Sequence, residues 1–201
     1  MPHLFGREGT RQQLTERIRD ASQIATVRPH TLSEGKANGV RAIEFSTGSG
    51  FRFTVLADRA LDISAAEHNG RSLCWRSPTG DTSPAFYQPE GLEWLHGFFG
   101  GLVCTCGLTH FGAPCTDEGR PLGLHGRISN TPAQEVHVVS GWSDRDEEYC
   151  IGVTGKVTEC SVFGPCLRLS RTIFARSRRP CACRARRIPR TCASGNCSLR
   201  A

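Results

Sequence analysis

The sequence predicts a mainly β protein, an antiparallel sandwich or barrel with one short helix near its start. Two observations carry this. Six stretches alternate apolar with polar or small residues, the period of a strand with one buried face: VRAIEF (40–45), GFRFTVL (50–56), LDISAAE (61–67), AQEVHVVSGW (133–142), YCIGVTGKVTE (149–159) and CLRLSRTIF (166–174). Turn signals separate the early strands, at GKANG (35–39), STGSG (46–50) and HNGR (68–71). Such strand-and-turn repetition is the pattern of sandwiches and barrels.

The elements follow in order. Residues 7–22 read as a surface helix, because Leu14 and Ile18 are spaced i, i+4 and Thr10 is a plausible N-cap. Asn69-Gly70 favours a type I′ hairpin, whose central residues both need φ > 0. Residues 77–121 are long, non-periodic and rich in Gly, Pro and aromatic rings. A loop of that length in a compact domain is functional or disordered, and Phe86, Tyr87, Trp94, Phe98, Phe99 and Phe111 argue against disorder. Ser140-Gly141 and Asp144–Glu148 read as hairpin connections.

Composition narrows the class. With 201 residues, 38% hydrophobic and 22% charged, the chain is no collagen, coiled coil or globally disordered protein. No run of 18 apolar residues exists and the N-terminus lacks an apolar signal core, so a cytoplasmic protein without a membrane partner is expected. Eleven cysteines, an odd number without a secretion signal, argue against a disulfide framework. Their close pairs are C-x-C and C-x4-C, which do not match zinc knuckles, and no metal is expected.

The net charge of +6 is unevenly spread: residues 174–201 hold eight Arg, four Cys and no acid, leaving the body slightly acidic. The expected organisation is therefore a β domain over 1–173 and an irregular Arg/Cys-rich tail over 174–201. Such a tail binds nucleic acid by charge if it was selected to do so. Its composition is instead that of a GC-rich gene read out of frame, so no specific nucleic-acid partner is expected.

Four polar groups stand out. LADRALDI (56–63) sets Asp58, Arg59 and Asp62 among apolar residues, which reads as a strand end with a surface Arg–Asp pair or as a site. QPEGLEW (88–94) places Glu90 and Glu93 beside Trp94. Carboxylates beside a ring suit sugars, whose C–H faces stack while their hydroxyls bond to acids; Trp94 also reads as core. CGLTHFGAPC (106–115) is a close-packed loop containing His110, and GLHGRISN (123–130) sets His125 between Leu124 and Gly126, with Arg127 following. A histidine in a Gly-flanked loop is suited to proton transfer or to bonding a hydroxyl.

The runs GFRFTVLADRALDI, WRSPTG, YQPEGLEWLHGFFGGLVCTCGLTHFGAPC and LGLHGRISNTPAQEV together resemble the DUF4432 family of aldose 1-epimerase-like proteins, within the galactose mutarotase-like superfamily. The resemblance runs from about Leu4 to Thr172. It implies part of a large antiparallel β-sandwich that binds a small-molecule carbohydrate and needs no cofactor. It implies an isomerase activity, interconverting the anomers of a free sugar or sugar derivative. It marks His125 as the catalytic candidate, and Arg127, Arg59, Glu90, Trp94 and His110 as candidate substrate contacts. The superfamily's general-base glutamate lies in a C-terminal half that no residue here matches, so the chain is expected to be truncated and inactive, or a non-catalytic sugar-binding module. Ala60 stands where the family motif usually carries Gly; if φ is positive there, the strain is about 1 kcal/mol.

Overall fold

A computed structural model describes the backbone at residues 3–4, 7–143, 148–176 and 179–188, and side chains at 9–143 and 148–176. Two antiparallel sheets face one another, as the alternation predicts. The first has the order β3(Thr26–Thr31), β4(Arg41–Ser46), β5(Phe51–Leu56), β6(Asp62–His68) and β7(Arg71–Ser72). The second runs β10(Gln134–Trp142), β11(Tyr149–Cys160), β12(Cys166–Arg176) and β13(Arg179–Ile188). Two small hairpins complete the strands: β1(His3–Leu4) with β2(Arg7–Glu8), and β8(Cys115–Asp117) with β9(Arg120–Leu122).

One core cluster joins the sheets. Phe45 and Phe53, paired across β4 and β5, stack at 4.5 Å and pack with Val55 and Ile63 against Ile151, Val153, Val157 and Ile173 of the second sheet. Burying each such side chain contributes roughly 1.5–3 kcal/mol, so the alternating positions dominate the stability of the sandwich. A smaller cluster of Val40, Ala42, Leu56 and Phe99 lies apart from it. There the aromatic loop meets the first sheet and is fixed to it.

Several expectations are corrected. The helix is only α1(Arg11–Arg17): Thr10 caps it with Gln13 as predicted, but Ile18 is already extended, and Asp20 starts a separate 3-10 turn at Ala21–Gln23. β3 was not predicted; TVRPHT shows no apolar alternation, and Pro29 is accommodated because β3 is an edge strand. Ser140 and Gly141 are not a turn but pair with Ile151 and Cys150 inside the sheet. The other expected connection, at 144–148, falls largely outside the described residues. Where an irregular tail was expected, β12 continues to Arg176 and Arg179–Ile188 forms β13 against it, since backbone pairing along β12 needs no apolar pattern in its partner. Cys160 and Cys166, opposite each other on β11 and β12, form a disulfide that the cysteine count argued against. Asn69 and Gly70 do take φ 50° and 76°, the I′ geometry. Among the described residues no helix is long and apolar enough to cross a membrane.

Candidate functional site

The LADRALDI segment is the hinge on which the site is built. β5 stops at Leu56, and residues 57–60 turn. Ala60 takes φ 53° and Leu61 φ 58°, so a left-handed turn exists where the family motif carries Gly. Asp58 does not pair with Arg59. It accepts from Arg41 Nε and Nη2 at 2.8 and 2.6 Å.

Arg59 is corrected from a surface or substrate-facing group to an internal staple. It is fully buried; Nε donates to Ser129 O at 2.6 Å, Nη1 to Thr82 O at 2.8 Å and Nη2 to Gly97 O at 2.9 Å. Its guanidinium lies 5.0 Å from the Phe99 ring centre. Three carbonyls from three separate loop segments thus converge on one planar fork, a geometry that only arginine provides. Asp62 is equally internal, bonded to the Thr105 amide at 2.9 Å and ion-paired with the buried Arg171 of β12.

Arg59 sets Ser129, and Ser129 sets the rings. Trp94 Nε1–H donates to Ser129 Oγ at 3.0 Å, and Trp94 is only 5% exposed. Its ring stacks on Phe98 at 4.9 Å and meets His125 edge-on at 5.1 Å. Phe111 stacks on the other side of His125 at 5.1 Å and is 75% exposed. Trp75, also exposed, stands 6.1 Å from Phe98. The result is a row of rings, Trp75–Phe98–Trp94–His125–Phe111, buried in its middle and open at both ends. Trp94 therefore serves both readings made of it: it is core, and it backs His125.

The Gly-flanked loop around His125 is tightly determined. At Gly123 a Cβ would stand 1.9 Å from Pro89 O, so no other residue fits. The His125 amide donates to Gly112 O, and His125 O accepts from Gly107. The Gly112 amide donates to His125 Nδ1 at 3.3 Å. Nδ1 is therefore bare and the hydrogen of the neutral ring sits on Nε2, which has no hydrogen-bond partner among the described residues. His125 thus presents one N–H donor beside the Phe111 face.

His110 lies in the same loop system, its Nε2 at 2.7 Å from Gly123 O. It holds the loop and is half-buried. Arg127 is exposed and acts electrostatically on Tyr87 and Glu159. Glu90 is exposed and acts on Tyr87, whereas Glu93 pairs with His96 at 2.7 Å rather than facing Trp94. The structure thus gathers His125, Trp94, His110 and Arg127, leaves Glu90 at the edge and withdraws Arg59 into the core.

Glu159 was missed. It ends an alternating strand, where a polar residue carries no signal, and sequence spacing does not show that β11 ends beside Thr109. Its Oε1 accepts from Thr109 Oγ1 at 3.4 Å, while its Oε2 is buried without a hydrogen-bond partner among the described residues. Burial pushes the carboxyl up, against the opposing pull of Arg127, the Thr109 hydroxyl and His110. A folded carboxyl raised above its unfolded value keeps a proton that the unfolded chain has lost. Stability therefore falls as pH rises from the ordinary glutamate value through the raised one. Glu159→Gln, which cannot titrate, is expected to flatten that fall in urea unfolding across a pH series.

Among the described residues no group of three or more His, Cys, Asp or Glu is placed to hold a metal ion. A family model described as "Domain of unknown function (DUF4432)" matches residues 37–180. Among solved structures the fold is similar to the crystal structure of "a putative aldose 1-epimerase from Klebsiella pneumoniae subsp. pneumoniae MGH 78578", with a TM-score of 0.68 and 26% identity. That match covers 77% of this chain and 42% of the other, so this chain spans less than half the length of its structural relative. No curated protein matches the sequence.

Proposed function

This chain belongs to the DUF4432 family, and from that premise we propose that it is an aldose 1-epimerase-like protein that binds a free sugar or sugar derivative beside His125. The observation that carries the reading is the ring row with a free N–H in it. A pyranose offers an apolar C–H face and a rim of hydroxyls. The exposed Phe111 ring suits the face, and His125 Nε2–H suits a sugar oxygen. Arg127, with Glu90 further out, supplies charged groups at the rim for other hydroxyls. No cofactor enters this reading.

The finer part of the proposal is anomer interconversion. The O1–H proton leaves, the C1–O5 bond breaks, O5 gains a proton, and the ring recloses on either face; this is general acid–base chemistry. In that sequence His125 holds a sugar oxygen and fixes the ring over Phe111. The structural likeness to an aldose 1-epimerase-type protein supports this.

The test is saturation-transfer NMR on the full chain with free aldohexoses and aldopentoses, comparing wild type with Phe111→Ala. Losing one stacked ring costs about 0.5–1.5 kcal/mol, so affinity is expected to fall several-fold. The fold should be unaffected, because Phe111 is largely exposed. Saturation transfer to no sugar, or affinity indifferent to Phe111→Ala, overturns the reading.

A further inference from the structure

We propose that Glu159 and Thr109 are positioning residues of the site, sharing one proton with His110 and so bracing the loop that carries His125. The importance of that loop rests on the carbohydrate reading; the proton sharing does not.

The argument is a count of hydrogens. His110 Nε2 lies 2.7 Å from Gly123 O, and a carbonyl can only accept, so Nε2 carries a hydrogen. Thr109 Oγ1 lies 3.4 Å from His110 Nδ1 and 3.4 Å from Glu159 Oε1. A hydroxyl has one hydrogen to give. With neutral His110 and ionised Glu159, both neighbours are acceptors and one goes without.

A single added proton resolves the conflict in either of two ways. On Nδ1 it makes a cationic His110 that donates to Thr109, which donates to Glu159 carboxylate. On Oε1 it makes a neutral Glu159 that donates to Thr109, which donates to bare Nδ1. The two arrangements differ only by moving two hydrogens along the chain, and each satisfies every group in it.

The surroundings favour keeping that proton. Oε2 of Glu159 is buried with no hydrogen-bond partner among the described residues, a costly place for a bare carboxylate. The other charged and titratable groups that bear on it are Arg127, which favours ionisation, and Tyr87, which feels Glu159 in turn.

The chain of bonds also has mechanical meaning. Through Gly123 O it ties the end of β11 to the backbone two residues before His125. Gly107 and Gly112 bond to His125 itself from the same loop as Thr109.

The test is an NMR titration of the histidine rings in the full chain without sugar, so that its failure is distinguishable from failure of the carbohydrate reading. In Glu159→Gln the His110 midpoint is expected to fall by about one pH unit, because the anionic end of the chain is gone. Thr109→Val, of similar shape without the hydroxyl, should lower it in the same direction. Thr109→Ser restores the hydroxyl and should return the wild-type midpoint. If Glu159→Gln does not fold, Thr109→Val against Thr109→Ser decides alone. A His110 midpoint unchanged in every folded variant overturns the proposal, as a simple packing role for Thr109 and Glu159 would leave it.

Discussion

Arg171→Leu is expected to lower the unfolding free energy by about 3–5 kcal/mol, the cost of leaving the partner of a buried ion pair alone. Arg171 lies on β12 and reaches across to Ala60 O at 2.9 Å and to the carboxylate of Asp62, which is also bonded to the Thr105 hydroxyl and amide. Arg171 and Asp62 are 3% and 0% exposed. Removing the cation leaves that carboxylate inside the protein with only the Thr105 donors. A typical domain has about 5–15 kcal/mol in all, so the variant should be largely unfolded under mild denaturant. Urea unfolding followed by circular dichroism checks this. The double variant Arg171→Leu with Asp62→Asn should recover a substantial part, because no lone charge remains. A loss below about 1 kcal/mol in the single variant would mean that the pair is not buried as described.

Arg59→Lys is the second large effect, although it keeps the charge. A lysine ammonium is a point donor and cannot span Ser129 O, Thr82 O and Gly97 O together. At least one carbonyl is left buried and unsatisfied, at about 1–3 kcal/mol each, so a total loss of about 2–4 kcal/mol is expected. The same change should weaken sugar binding. Ser129 is the residue whose hydroxyl fixes Trp94, and Trp94 backs His125. An Arg59 variant therefore mimics a site mutation without Arg59 touching ligand. Calorimetric melting and sugar titration on one sample check both parts.

That double effect shows why the site was only partly legible in the sequence. Alternation reads one strand against solvent and core, so β4, β5, β6, β10, β11 and β12 were legible nearly to their ends. β3 was not, because an exposed edge strand holding Pro29 has no apolar face to display. His125 was legible because glycines on a loop signal close approach of backbones, and Gly123 against Pro89 is such an approach. Arg59 was misread because its partners lie 23 to 70 residues away in the chain. Beside Asp58 and Asp62 in the sequence it looked like half of a local pair. Glu159 and Thr109 were silent for the same reason: each is ordinary in its own segment, and only the packing of β11 against the loop joins them.

The most direct test of the central claim is His125→Asn, measured for sugar affinity and for melting temperature together. Asparagine tolerates the φ of 56° at this position, so backbone strain does not enter. It is too short to place a donor where Nε2–H stands beside Phe111. The account predicts that affinity for the best-bound aldose falls several-fold, the loss of one hydrogen bond worth about 0.5–1.5 kcal/mol, while the melting temperature stays within a few degrees. Unchanged affinity with a clearly lower melting temperature would make His125 a packing residue and contradict the account.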